Sequence, residues 1–507
     1  MFIADHARDT PDKPALILAG TGRSVSYREL DDASNRLAQC LHAAGLRRGD
    51  GIALMLENHH RFAEVVWAAM RSGLYVSAIN RYMTAEEAAY VARDCDARVL
   101  VSSRALAPVA ARLPAMLPGI ERFLMLDGAL PGWESLDDAA APFPAEPLAK
   151  QWLGSTMLYS SGTTGQPKGV RWPLGDAEVG DAFRSLETAA HYGFDRDTVY
   201  LGPAPLYHAA PLGYMLLVQR AGGTAVVMPR FDAAEALRLI GRHRVTHSQW
   251  VPTMFVRMLK LDPAEREGHD LSSHRCAVHA AAPCPPEVKR AMIAWWGPIL
   301  HEYYAGSESN GMTRINSAEW LERPGSVGRA TVGTIHICDD EGRELPAGES
   351  GLIFFERDAM PFAYHKDPAK TDAARHPLHR EWSTLGDIGH LDDEGFLFLT
   401  DRKAFMIISG GVNIYPRMVE DAIIDHPAVR DVAVLGVPSE EMGEDVKAVV
   451  ELMDNHEPTA ALAEALRTHA AARVARYMVP RSVEFLPELP RTATGKLLKQ
   501  ALRARYW

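Results

Sequence analysis

Cysteine is scarce in this sequence. Its 507 residues hold five, Cys40, Cys95, Cys276, Cys284 and Cys338, scattered along the chain with no C-x-x-C spacing. An odd, dispersed set offers neither a disulfide framework nor a zinc pattern, and a reducing compartment is expected. Long apolar runs are missing too: none approaches the ~20 residues that a membrane-spanning helix requires. Nor is there an excess of positive charge. The formal net charge is −11, which argues against a nucleic-acid partner, since such proteins present a basic face. The opening run MFIADHARDTPDKPA sets acids and a proline where a signal peptide needs an apolar core, so a cytoplasmic location without a membrane span is expected. Internal repeats and low-complexity tails are also absent.

What is present is an ordinary globular composition, 47% hydrophobic and 23% charged. Its length exceeds what one core usually serves, so at least two domains are expected. In the first third, strand and helix signals alternate. Ser24–Tyr27 reads as a strand before a helix in which Leu30, Ala33, Leu37 and Leu41 recur at helical spacing. Gly45 and the GLRRGD turn stop that helix. Gly51–Leu56 reads as a buried strand, Phe62–Met70 as a helix ended by Ser72-Gly73, and Val76–Ile79 as a further strand. Strand–helix–strand order calls for crossover connections and a mostly parallel sheet. Pro142–Pro147 reads as a surface connector. From Gly328 to Thr400 the texture shifts to short strands, with DDEGR and DDEGF as tight turns in antiparallel pieces. After Asp401, VAVLGV, VKAVVEL and an Ala-rich helix from Ala460 to about Arg476 suffice for a small separate domain.

The densest chemical signal is YSSGTTGQPKGV, Tyr159–Val170. Glycines let backbone N–H groups turn toward a ligand, hydroxyls donate further hydrogen bonds and Lys168 adds a positive charge; together they suit phosphates. This is not a Walker A loop, because Pro167 precedes the lysine and Gly169 follows it. The plain alternative is a flexible surface turn.

Four further segments accompany it in order: EYYAGSESNG from Glu302, WSTLGDIGHLDDEGF from Trp382, DRKAFMIISGGVNIYP from Asp401 and LPRTATGKLLK from Leu489. With the first loop they resemble the adenylate-forming superfamily of acyl-CoA synthetases, peptide-synthetase adenylation domains and beetle luciferases. The resemblance spans nearly the whole chain and is nearest to bacterial fatty-acyl and aryl acid–CoA ligases. It implies an α/β fold: a large N-terminal AMP-binding domain, residues 1–401, of mostly parallel sheets with helices plus a small β-barrel-like part. A small mobile α+β domain, residues 402–507, would follow.

The same resemblance implies roles. Ser160, Ser161, Gly162, Thr163, Thr164, Gly165 and Lys168 would hold the β- and γ-phosphates of ATP, with Ser160 and Glu308 at Mg²⁺. Ser307 would bond the α-phosphate. Glu302, Tyr303 and Tyr304 would form one side of the adenine site, Tyr304 by stacking, with Ala281, Ala282 and Pro283 opposite. Asp387 would take the ribose hydroxyls and Arg402 a further contact. His208 would stand at the mouth of the acyl pocket, Gly410 and Gly411 would line a pantetheine channel, and Lys496 would bridge the acyl carboxylate and the α-phosphate. An in-line attack on that phosphate needs positioning and a fixed cation rather than a base, since the carboxylate is already ionised at neutral pH. Outside this pattern, a lone glutamate is ordinarily solvated, a histidine structural and a terminal lysine solubilising. The sequence departs from the family at Ala305, where glycine is common, at Ser307, which keeps the hydroxyl of the usual threonine, and at Ala404, where relatives often carry Asp or Lys at a hinge.

The expected activity is therefore ligation of a fatty or aryl acid to coenzyme A through an acyl-adenylate, with release of AMP and pyrophosphate. ATP, Mg²⁺ and CoA are the expected cofactor and co-substrates. An amino-acid-activating domain is the second reading. It needs an acid after His208, whereas Ala209–Met215 has none, and an unpaired ammonium in an apolar pocket costs several kcal/mol. A nucleotide-binding pseudoenzyme is the third, and the presence of Lys168, Glu308, Asp387, Arg402 and Lys496 weighs against it. The acid's chain length and the oligomeric state are not written in the sequence.

Overall fold

The computed structural model describes residues 2–160, 167–181, 185–402, 405–410, 412–491 and 497–507, with only the backbone described at 160, 185, 186, 401, 402 and 413. The chain divides into two compact units. The first is Met1–Trp250 with Lys260–Val278 and Pro361–Asp372; the second is Val251–Leu259, His279–Met360 and Ala373–Trp507. Residues 402–507 all fall in the second unit.

In the first unit, the strands Gly51–Met55, Tyr75–Ala78 and Ala97–Ser103 lie at the centre of a six-stranded parallel sheet. Every residue of Gly51–Met55 is buried, as is every residue of the helix Phe62–Met70 that crosses to the next strand. Burial on both faces explains their unbroken apolar sequences, the usual state of parallel strands. Local signals fix the helix starts. The side chains of Ser26 and Thr84 accept from the amides of Glu29 and Glu87, and those glutamates reach back to the cap amides. A second sheet orders Val199–Gly202, Thr224–Val227 and Pro14–Leu18 in parallel. The helix Ala209–Ala221 crosses between the first two and stops at Gly222, whose φ of 86° is the left-handed cap that glycine suits. A small antiparallel sheet joins Leu158–Ser160, Lys168–Arg171 and Ala363–Tyr364.

The second unit holds the short strands expected after Gly328. Leu300–Ala305, Met312–Asn316, Ser326–Val332, Leu397–Arg402, Asp387–Leu391, Gly351–Glu356 and Thr334–Cys338 pair antiparallel in that order. Val327, Ile335, Ile337, Ile353, Phe355 and Leu397 form the core beneath them. Both DDEG turns are present, with Gly342 at φ 83° and Gly395 at φ 80°. Beyond residue 405, Val429–Ser439 and Gly443–Leu452 form a long hairpin in a five-stranded sheet, and Ser482–Leu486 adds in parallel. The Ala-rich helix is shorter than its composition suggests. It ends at Ala471, and a 3-10 turn at Arg476–Met478 follows. The chain leaves the helix so that Met478 can join Leu466 and Ala470 in the core; packing overrides propensity. All five cysteines are buried thiols. Among the described residues, no helix is long and apolar enough to cross a membrane.

Candidate functional site

The glycine-rich loop lies between two paired strands of the first unit, with Lys168 opposite Ser160, Gly169 opposite Tyr159 and Val170 opposite Leu158. Tyr159 anchors this hairpin by donating to Asp94 Oδ2 at 2.6 Å, and burial holds its phenol well above the usual tyrosine range. A β-carbon on Gly169 would lie 3.0 Å from the Tyr159 ring, so a larger residue would require that ring to give way by a few tenths of an ångström. The Lys168 ammonium stands 5.2 Å from the centre of the Tyr364 ring, on the third strand of the same small sheet. Ser161, Gly162, Thr163, Thr164 and Gly165, and the side chain of Ser160, lie outside the described residues.

His208 caps the helix Ala209–Ala221 with extended backbone, φ −99° and ψ 153°, and its ring lies 4.5 Å from that of Tyr207. The turn before it is held by a residue that sequence reading passed over. Buried Asn58 donates to the carbonyls of Ala204 (3.1 Å) and Met228 (2.7 Å) and accepts from the Leu206 amide at 2.8 Å. One amide side chain thus fixes the segment that presents His208. A polar residue in the ENHH run was the available signal. Among the described residues, the neighbouring Glu57, His59 and Asp127 form the one group of three metal-capable donors, their ligand atoms within 4.8 Å of one another. Hydrogen bonding assigns them otherwise. The Arg61 amide donates to His59 Nδ1 at 3.2 Å, which in the neutral ring leaves the proton on Nε2, facing Asp127 Oδ2 at 2.8 Å. Ser103 donates to Glu57 at 2.6 Å. The group is a hydrogen-bonded anchor, and a metal at Nε2 would have to displace its proton.

The second unit brings several expected residues together. The strand Leu300–Ala305 carries Glu302, Tyr303 and Tyr304. Tyr304 donates to Asp387 Oδ2 at 2.7 Å. Asp387, 7% exposed, stands opposite Arg402 in the ladder between Asp387–Leu391 and Leu397–Arg402. A bulge sets that register: Gly389 pairs with Leu399 but Ile388 with Asp401, so Thr400 is the extra residue. Glu302 lies deeper. Its carboxylate receives the Lys289 ammonium at 2.5 Å, both side chains being almost fully buried.

After Tyr304 the chain turns sharply. The Ser309 amide bonds to the Gly306 carbonyl at 3.0 Å, Ser309 sits at φ 50°, and Arg357 donates to the Ser309 carbonyl at 3.2 Å. This turn carries Ser307 and presents Glu308, 8% exposed. A β-carbon on Gly306 would fall 2.2 Å from Leu385 Cδ1 and 2.9 Å from Glu308 Oε2, so the turn closes only without one. Ala281, Ala282 and Pro283 form the loop between the strand Cys276–His279 and the helix Pro286–Trp296. Ala281 holds φ 75°, a left-handed conformation that costs a non-glycine residue roughly 1–2 kcal/mol. Gly410, at φ 57°, begins the two-residue turn between Ile407–Ser409 and Val412–Ile414 and bonds through its amide to the Met442 carbonyl at 2.8 Å. Gly411, Ala404, Lys496 and the side chain of Arg402 lie outside the described residues.

Comparison with known proteins accords with this arrangement. The family model of AMP-binding enzymes matches residues 3–364, and that of the AMP-binding enzyme C-terminal domain matches residues 418–496. The chain is 32% identical over 510 residues to a long-chain-fatty-acid–CoA ligase, FadD13, of Mycobacterium tuberculosis, covering 100% of this chain and 98% of that one. It is 32% identical over 503 residues to a feruloyl-CoA synthase of an Amycolatopsis species, covering 99% and 97%. Among solved structures, the anthranilate CoA ligase AuaEII in complex with anthranoyl-AMP superposes with a TM-score of 0.85 at 25% identity, covering 99% of this chain and 96% of that one.

Proposed function

The chain belongs to the family of AMP-binding enzymes, and from that premise we propose that it is an ATP-dependent carboxylic acid–CoA ligase acting through an acyl-adenylate. The acid's carboxylate would attack the α-phosphorus of ATP, forming the acyl–AMP bond as the bond to pyrophosphate breaks. The thiol of CoA, losing its proton, would then attack the acyl carbon and release AMP. The observation that carries the reading is the placement of Tyr304, Glu308 and Asp387 around one turn and ladder of the second unit, in the order the family pattern requires.

In this reading Tyr304 holds the Asp387 carboxylate toward the ribose, Ser307 donates to the α-phosphate, and Ala281–Pro283 cover the adenine. Glu302 and Tyr303 belong to the strand that carries the adenine wall. Ser160–Gly165 and Lys168 cradle the outer phosphates. Mg²⁺ fits the chemistry of the donors: Glu308 supplies a carboxylate on a turn with no room for a β-carbon beside it, and Ser160 a hydroxyl, both hard oxygen ligands. When bound, that ion would offset charge on the phosphates. Lys496 would steady the pentavalent phosphorus as a fixed cation, and Arg402 would add a contact from the domain junction.

The substrate is taken to be a fatty or aryl acid. No acid occurs from Ala209 to Met215 to pair with an ammonium, and the helix there contributes Tyr214 to a group of rings with Tyr192, Phe194 and Tyr200. His208 would face the carboxyl end of that substrate. Residues 402–507 would form the mobile domain, with Gly410 and Gly411 on the pantetheine path. A cytoplasmic location accords with the absence of a membrane-spanning helix among the described residues. The test is a panel of carboxylic acids assayed for AMP and pyrophosphate with and without CoA. Aliphatic or aryl acids should give AMP and a thioester. ADP as the product, or preference for an α-amino acid, would overturn the assignment.

A further inference from the structure

Lys289 is the only lysine that the structure buries completely, among the described residues, and nothing in the reaction above uses it. It sits in the helix Pro286–Trp296, a turn beyond the loop Ala281–Pro283. Its ammonium lies 2.5 Å from Glu302 Oε2 and 4.8 Å from the centre of the Trp320 ring. His279 Nε2 is 3.7 Å from the same carboxylate oxygen, and the buried thiol of Cys284 lies in the loop between them in sequence. Burial holds the His279 imidazole neutral and pushes the Cys284 thiol up. Among the described residues, Lys289 is the lysine or arginine that pairs with this carboxylate.

Removing an ammonium and a carboxylate from water costs several kcal/mol per ion, and an apolar pair of similar volume is often at least as stable. Stability alone does not account for this pair. Its position does. Glu302 is two residues before Tyr304 on one strand, so their side chains share a face about 6.4–6.8 Å apart along it. Lys289 belongs to the helix that begins where the Ala281–Pro283 loop ends. One charge-assisted bond ties together the two segments that flank the adenine in the reading above.

We propose that Lys289 is a positioning residue for the nucleotide, its buried ion pair with Glu302 setting the separation between the Ala281–Pro283 loop and the Tyr304 strand. The inference rests on the nucleotide site assigned above, and it moves Glu302 from a ligand contact to the partner of Lys289.

The test uses the full-length enzyme and three variants, Lys289→Met, Glu302→Gln and the double variant, with melting temperature, calorimetric ATP affinity and steady-state constants measured for each. Lys289→Met should weaken ATP binding and raise KM for ATP by about tenfold or more, the loss expected for a bond to a charged group, while kcat at saturating ATP and KM for the acid stay within about threefold. Glu302→Gln keeps an acceptor for the ammonium but leaves its charge uncompensated, so it should lower the melting temperature while weakening ATP binding less than Lys289→Met does. The double variant leaves no unpaired buried charge, so its melting temperature should recover while its ATP affinity stays weak. Recovery of both together would overturn the proposal, since the pair would then serve folding alone. Unchanged ATP affinity in a folded Lys289→Met would also overturn it. A wild-type enzyme that binds ATP but forms AMP with no acid would overturn the proposed reaction, with the calorimetric arm still deciding the role of Lys289.

Discussion

Tyr304 donates its phenolic proton to Asp387 Oδ2 at 2.7 Å, linking the strand that carries the aromatic pair to the strand that carries the acid. The bond fixes the rotamer of a carboxylate only 7% exposed. Tyr304→Phe keeps the ring and removes the bond. Bonds to charged groups contribute about 1.5–3 kcal/mol, so KM for ATP should rise about tenfold or more with little change in kcat. Steady-state kinetics at fixed acid and CoA measure this. An unchanged KM would mean that the carboxylate is held by other means.

The turn at Gly306 gives a second expectation. Gly306→Ala places a β-carbon 2.2 Å from Leu385 Cδ1 and 2.9 Å from Glu308 Oε2, so either the leucine or the glutamate has to move. Overpacking of this kind costs about 1–3 kcal/mol. Since Glu308 is the proposed metal ligand, the Mg²⁺ concentration for half-maximal AMP formation should also rise severalfold. Gly119→Ala, where nothing lies within 4 Å of the new carbon, should change neither quantity.

Acid should weaken the fold in a window set by histidines. Burial lowers His60 to about 4, with His59, Arg23 and Arg61 adding to the shift and Asp127 opposing it; burial lowers His274 to about 3, with His247 adding. Both are neutral in the folded chain, while in the unfolded chain they titrate near 6.5. Below pH 6.5 the unfolded state takes up more protons, so stability falls as pH drops from 6.5 toward 4 and levels off only below the folded values. His274→Asn should flatten the fall of melting temperature across that window. Lowered carboxylates such as Asp96 act further down, below about 4.

The two half-reactions should separate by mutation in the C-terminal region. Lys496→Ala is expected to slow adenylation by ~10²–10³, the usual loss for one transition-state donor, yet still form thioester from supplied acyl-adenylate and CoA. Gly411→Leu should do the reverse, releasing pyrophosphate in a first turnover while thioester formation is blocked. Single-turnover assays of each step decide it, and equal damage to both steps by Lys496→Ala would count against two separate arrangements.

Local chemistry made much of this legible from residues alone. The helix Tyr27–Ala43 announces itself through Ser26 and Glu29, the helix Phe62–Met70 through an apolar run bounded by Ser72-Gly73, and the DDEG turns through glycines that do adopt positive φ. Tyr304 and Asp387 belong to separate motifs, and the fold makes them partners. Long-range contacts stayed hidden. Lys289 in PEVKRAM reads like any lysine on a helix surface, because its partner is thirteen residues away on a strand. Asn58 bonds to carbonyls more than a hundred residues off, which no local pattern encodes. The division into compact units was equally illegible, since Val251–Leu259 and Pro361–Asp372 are allotted by packing against distant chain and not by texture.

Thr400 shows how one inserted residue can choose a neighbour. Below the bulge, each pair in the hairpin Asp387–Leu391 and Leu397–Arg402 follows the count set by the DDEGF turn, His390 facing Phe398 and Gly389 facing Leu399. Continued without interruption, that count would bring Asp387 level with Asp401, and two like charges directly opposite each other destabilise a sheet. The extra residue advances the strand by one, and Asp387 stands level with Arg402 instead. Which residue stands level with the proposed ribose acid is thus decided by arithmetic along the hairpin. A deletion of Thr400 would remove none of the residues assigned to the nucleotide in this reading, yet it would set Asp401 rather than Arg402 level with Asp387 in the ladder.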